Sequence, residues 1–146
     1  MKGKSWMILV ALGIAISFVA CSSPSGVEFT IEPPGAPPHT LPACTEDEEI
    51  TLDVHSMKSG EVQVQEVQGQ GFVSKESLTL IFIAEREVAG GTGKTIIQTS
   101  RPYAVNAEGS FSEQDPFLSL NADESPEWEL RVVHQRGVAC TTFIVQ

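Results

Sequence analysis

The chain is predicted to be all-β: an antiparallel β-sandwich of about seven short strands, preceded by a signal peptide and a Pro-rich spacer. Three observations carry this. From residue 49 onward apolar residues recur with period two. Gly- and Ser-rich turn signals separate those runs at short intervals. No window of a dozen residues beyond the first twenty places apolar residues at i, i+3, i+4 and i+7. A length of 146 residues suits one domain. With 41% hydrophobic and 19% charged residues, the chain is neither a disordered polyelectrolyte nor a polytopic membrane protein.

Residues 1–20 read as a secretory signal. Met1 to Ser5 carries two cations and no acid, and Trp6 to Ala20 is apolar or small except for Ser17. Such a run is too short to span a ~30 Å hydrocarbon core but long enough to enter a translocon. Phe18-Val19-Ala20-Cys21 resembles the lipobox of bacterial lipoproteins, with Phe18 where Leu is the common residue. The resemblance implies that residues 1–20 are cleaved and that Cys21 is lipidated as the new N-terminus. Several acyl chains, at roughly 0.8 kcal/mol per buried CH₂, anchor stably. Ser22 rather than Asp follows, so the inner-membrane retention signal of some Gram-negative lipoproteins is absent. The expected location is extracytoplasmic, at the outer membrane or the outer face of the cell membrane.

Nine Lys and Arg stand against nineteen Asp and Glu. Removing residues 1–20 takes away two cations and no acids, so the exported part has a balance of -12. Nucleic-acid binding needs clustered cations and is excluded as an expectation.

Of three cysteines, Cys21 is assigned to the anchor, which leaves Cys44 and Cys140. Outside the cytoplasm such a pair tends to oxidise, so a Cys44–Cys140 disulfide is expected. A metal site or a redox pair has no support, since neither cysteine belongs to a Cys-x-x-Cys or has a His at ligand spacing.

Residues 21–43 hold six of the nine prolines and read as an extended tether that lifts a domain off the membrane. Val27, Phe29 and Ile31 alternate within it, enough for a short edge strand. The folded domain is expected over residues 44–146. Its strands follow in order: Ile50, Leu52 and Val54; Val62 and Val64; Leu78, Leu80 and Phe82, with Ile81 and Ile83 implying burial on both faces; Thr95 to Thr99, then Tyr103 and Val105; Trp128, Leu130 and Val132; and Val138 to Val145 after an Arg136-Gly137 turn.

Gly69-Gln70-Gly71-Phe72-Val73-Ser74-Lys75-Glu76-Ser77-Leu78-Thr79-Leu80 resembles the G-x-G-F-x-P-G-E-x-V-T-L opening of Ig-like modules in bacterial surface proteins. Those modules continue with a turn and G-x-F, matched by Gly109-Ser110-Phe111, and end on A-x-x-x-F-x-V, matched by Ala139, Phe143 and Val145. Ser74-Lys75 stands where the modules have Pro-Gly. The resemblance implies an Ig-like sandwich whose first and last strands lie side by side, which would bring Cys44 and Cys140 together. On parity alone Cys140 either points outward or follows a bulge. The resemblance implies no ligand, because such modules serve as spacers, adhesins and appendages to enzymes.

Residue by residue, the chemical candidates are thin. Gly90-Gly91-Thr92-Gly93-Lys94-Thr95 lacks the first Gly of a phosphate loop, where Val88 stands, and a strand rather than a helix follows. Glu46-Asp47-Glu48-Glu49, Asp115 and Asp123-Glu124 lack the alternation and Gly turn of a calcium loop and read as solvated charge. His39, His55 and His134 have no spacing that forces convergence, and no G-x-S-x-G elbow occurs. Trp128 reads as core.

The expected function is therefore a non-enzymatic, lipid-anchored display, spacer or interaction module. It needs no cofactor or metal, has the membrane as partner through Cys21, and leaves a protein or carbohydrate partner open. The alternative is a ligand-binding or inhibitory lipoprotein using loops 86–94 and 112–127 to hold a sugar, peptide or cation.

Overall fold

The computed structural model describes residues 27–59, 62–99, 102–120 and 127–145; the predicted signal and Cys21 lie outside the described residues. The described residues form nine strands: β1 (Val27–Glu32), β2 (Thr51–Ser59), β3 (Val62–Gln70), β4 (Ser77–Val88), β5 (Gly91–Thr99), β6 (Tyr103–Ala104), β7 (Phe111–Ser119), β8 (Glu127–His134) and β9 (Gly137–Ile144). All pairings are antiparallel. One sheet runs β1-β5-β4-β8-β9, with β6 pairing the start of β4, and the other runs β2-β3-β7. Without β1 and β6, a four-stranded sheet β5-β4-β8-β9 faces the three-stranded sheet β2-β3-β7, a β-sandwich.

The two sheets close on one core. Leu78, Leu80, Phe82 and Ala84 of β4 and Trp128, Leu130 and Val132 of β8 point inward, against Val67 and Phe111 of the smaller sheet. Trp128, Phe82 and Leu130 are wholly buried, and each such side chain contributes about 1.5–3 kcal/mol relative to leaving it in water. Trp128 is thus core, as its parity predicts.

The glycine motif has a packing reason. A Cβ on Gly69 would sit 2.4 Å from the Phe111 ring and 2.7 Å from the Phe72 ring. Those rings meet edge to face, centroids 5.4 Å apart, so Gly69 is the space in which the aromatic pair lies. Lys75 takes φ 64°, the left-handed conformation that the Gly of the resembled motif adopts freely. Replacing Lys75→Gly should therefore raise stability, by at most about 1 kcal/mol once the entropy of a free glycine is set against the relieved strain. A chemical denaturation midpoint that falls instead would contradict the strain.

Three expectations meet a different arrangement. The segment expected as tether is partly sheet: the alternating Val27, Phe29 and Ile31 do form the short edge strand their spacing allows, and β1 pairs residue for residue with β5, from Val27↔Thr99 to Glu32↔Lys94. Between Pro24 and Pro33 the segment has no proline, so nothing in Val27–Glu32 lacks a backbone donor. Residues 86–94, expected as a loop, are a hairpin in which Arg86↔Gly93, Glu87↔Thr92 and Val88↔Gly91 pair, leaving only Ala89 and Gly90 outside the ladder. Residues 112–119, expected within a second loop, belong to β7. Polar residues and Pro116 hide that strand in the sequence. The proline is accommodated because β7 is an edge strand and its ladder is interrupted there: residues 115–118 stand against Gln65 alone.

Candidate functional site

The outer face of the larger sheet carries the most elaborate chemistry. Its residues follow from pleat parity: Ile81 and Ile83 on β4, Ile96 on β5, Val133, Arg131 and Glu129 on β8, and Cys140 and Thr142 on β9. Ile81, Ile83 and Ile96 form a second apolar cluster, the double-sided burial that the β4 sequence predicts. The cover is the Pro-rich segment itself. After β1, residues 33–45 pass across this face from one edge of the sheet to the other, a distance of about 19 Å for four strand spacings. Leu41 packs on the isoleucine cluster.

The far end of this strap is clasped. Cys44 and Cys140 are bonded, with Cα atoms 5.8 Å apart. Cys140 points outward and no bulge intervenes: β8 and β9 pair without interruption from His134↔Gly137 to Glu127↔Ile144, and Ala139 and Phe143 face the core. Beside the bridge, Thr45 N donates to Val138 O at 2.8 Å and Val138 N donates to Thr45 Oγ1 at 2.8 Å. Arg131 grips Glu129 through Nε at 2.7 Å and donates from Nη1 to Pro42 O at 2.8 Å. Sequence reasoning missed Arg131 and Glu129, since nothing local announces a partner 89 residues away.

Beside the strap lies a shallow groove of about 450 Å³. Glu85, Lys94, Glu127, Glu129 and Arg131 line it, with Ile83 as floor. Its charges are engaged: Lys94 pairs with Glu85 at 3.3 Å and Arg131 with Glu129. Among the described residues, Cys44, Glu129 and Cys140 bring three potential metal-ligand atoms within 4.8 Å. Both sulfurs are spent in the bridge, and the thiolate is the metal ligand, so the oxidised clasp offers a metal one carboxylate already held by Arg131.

A second polar cluster closes one end of the sandwich. Glu76 is 2% exposed. One carboxylate oxygen accepts Val73 N at 2.6 Å and the other Gln135 N at 2.8 Å, which ties the β3–β4 loop to the β8–β9 turn. Next to it His134 is buried; Nδ1 accepts Arg136 N at 3.3 Å, Nε2 meets no partner, and the ring stands edge to face on Phe72 at 5.6 Å. Burial and the Arg136 guanidinium hold its pKa below the ordinary imidazole value, against the pull of Glu76 and Asp47. Arg136 in turn pairs with Asp47 at 3.3 Å and Glu49 at 3.0 Å and donates to Gly71 O. Two of the four acids in the run Glu46–Glu49 are therefore paired with one guanidinium from a turn that is distant in sequence. His39 holds Glu32 through its backbone N at 2.7 Å, and His55 pairs with Asp53 at 3.1 Å on the exposed face of β2. The three histidines lie apart, on the strap, the smaller sheet and the β8 end. The 86–94 hairpin and β7 belong to different sheets.

Set beside protein-family models, curated proteins and solved structures, the chain matches none of the three.

Proposed function

We propose that this chain is a lipid-anchored, extracytoplasmic Ig-like domain that acts without catalysis as a surface display, spacer or interaction module. One observation carries the reading: a cationic start, an apolar run and Phe18-Val19-Ala20-Cys21, in that order and at the spacing of a lipoprotein signal. The Cys44–Cys140 bridge supports it, because disulfides persist in oxidising compartments. The engagement of the titratable groups supports the non-catalytic part. Glu76, Glu129, Arg131 and Arg136 each hold loops or the strap together, where a catalytic acid or base needs access to a reacting atom.

Cys21→Ala should abolish incorporation of labelled palmitate and leave the precursor uncleaved by the lipoprotein peptidase. Labelling that persists in the variant, or that never appears in the wild type, would refute the anchor.

A further inference from the structure

We propose that the β1 edge of the sandwich rests on the bilayer that carries the anchor, with Phe29 and Ile31 as its lipid contacts. This rests on the lipidation of Cys21 proposed above.

Phe29 and Ile31 are 54% and 51% exposed, unusual for large apolar residues in the middle of a strand. Their exposure has a geometric cause. They pair with Ile97 and Thr95, which are buried on the inner side of the larger sheet, so their side chains point the same way. The larger sheet is five strands wide along its main path and the facing sheet only three. With β2 beside β9, the inner side of β1 projects as a ledge at the opposite edge. Val88, 36% exposed, and Arg86 share that parity two strands away on β4. Glu28 and Glu32 have the other parity, on the side the strap crosses. The strand is thus amphipathic across the sheet, apolar towards the ledge and acidic away from it, and the nearest charge on the ledge side is a cation suited to anionic headgroups.

The occupant follows from chain length. A free 23-residue spacer over residues 21–43 would reach about 70 Å in the polyproline conformation. Residues 27–32 are a strand, and residues 33–45 are strapped to the sheet by Leu41, Pro42 and Cys44. Only residues 21–26 remain between the anchor and β1, and six residues reach no further than about 20 Å. The lipid on Cys21 therefore confines the β1 edge to the membrane surface, with the apolar ledge on the strand that the tether enters first.

The test uses the full-length lipidated protein in phosphatidylethanolamine–phosphatidylglycerol vesicles with brominated acyl chains. Trp6 leaves with the signal and Trp128 is wholly buried, so an added Trp reports its own site. Phe29→Trp and, independently, Ile31→Trp should be quenched by the brominated chains, while Ile144→Trp on the opposite edge strand should not. Palmitate incorporation and the Cys44–Cys140 bridge are checked in each sample. Quenching no greater at residues 29 and 31 than at 144, with palmitate in place, overturns the inference and leaves the anchor standing. A blue-shifted but unquenched Trp at residue 29 with a dimer mass in detergent assigns the ledge to a second copy, which also overturns it. Absence of palmitate refutes the anchor reading itself.

Discussion

Replacing both Cys44 and Cys140 by Ala should lower stability by about 4–5 kcal/mol, because the bridge closes a loop of 96 residues. With a urea m-value of ~2 kcal/mol per M, the midpoint should fall by about 2 M. The effect is large because the bridge does more than restrict the unfolded chain. It fixes the end of the strap that covers Ile81, Ile83 and Ile96, and it holds Thr45 where its backbone and hydroxyl pair with Val138. Non-reducing peptide mapping of the wild type should recover the two cysteines in one linked peptide. A midpoint shift equivalent to less than ~1 kcal/mol would mean that Leu41, the Arg131–Pro42 contact and the Thr45–Val138 pair hold the strap without the bridge, and that the clasp is dispensable.

Glu76→Gln should cost about 2–3 kcal/mol although it changes one atom. Each carboxylate oxygen accepts one backbone N–H, from Val73 and from Gln135. An amide can accept from only one of them and turns a donor on the other, inside a site that is 2% exposed. The loss should be local as well as global: amide exchange at Val73 and Gln135 should accelerate ahead of the core strands. Glu108→Gln, on an exposed turn where only the backbone N of Glu108 is used, should leave the midpoint unchanged. Equal midpoints for Glu76→Gln and the wild type would show that the two loops do not depend on this carboxylate.

These two positions differ in how far they can be read in advance. The pair Cys44 and Cys140 is expected from the lipobox resemblance, which sets Cys21 aside and leaves two cysteines in an exported chain. The role of Glu76 is not: the residue stands at the Glu of the resembled G-x-G-F-x-P-G-E opening, but nothing in the sequence assigns it a task, and only the convergence of two loops makes it a buried acceptor. The same contrast runs through the candidate site. Arg131 and Arg136 look like polar-face residues of a strand and a turn. Their partners, Pro42 O at a separation of 89 residues and Gly71 O at 65, are set by the strand topology. The strand β7 escaped notice because its sequence Phe111-Ser112-Glu113-Gln114-Asp115-Pro116 has no alternation. An edge strand needs only one paired side, and the interrupted ladder tolerates the proline.

Period-two alternation determined by itself the all-β class, the inward faces of β2, β4 and β8 and the core position of Trp128, because side-chain direction in a strand depends only on residue parity. The Cys44–Cys140 pair is expected once the lipobox resemblance sets Cys21 aside, and the structure shows the two bridged. Tertiary structure alone decided that Val27–Glu32 joins β5, and that the prolines after it lie on the sheet as a strap instead of extending from it. The physical reason is that proline forbids the interior of a helix or sheet but says nothing about what an extended segment lies against. That is settled by the uncovered isoleucines of β4 and β5 and by where Cys140 emerges, both consequences of long-range pairing.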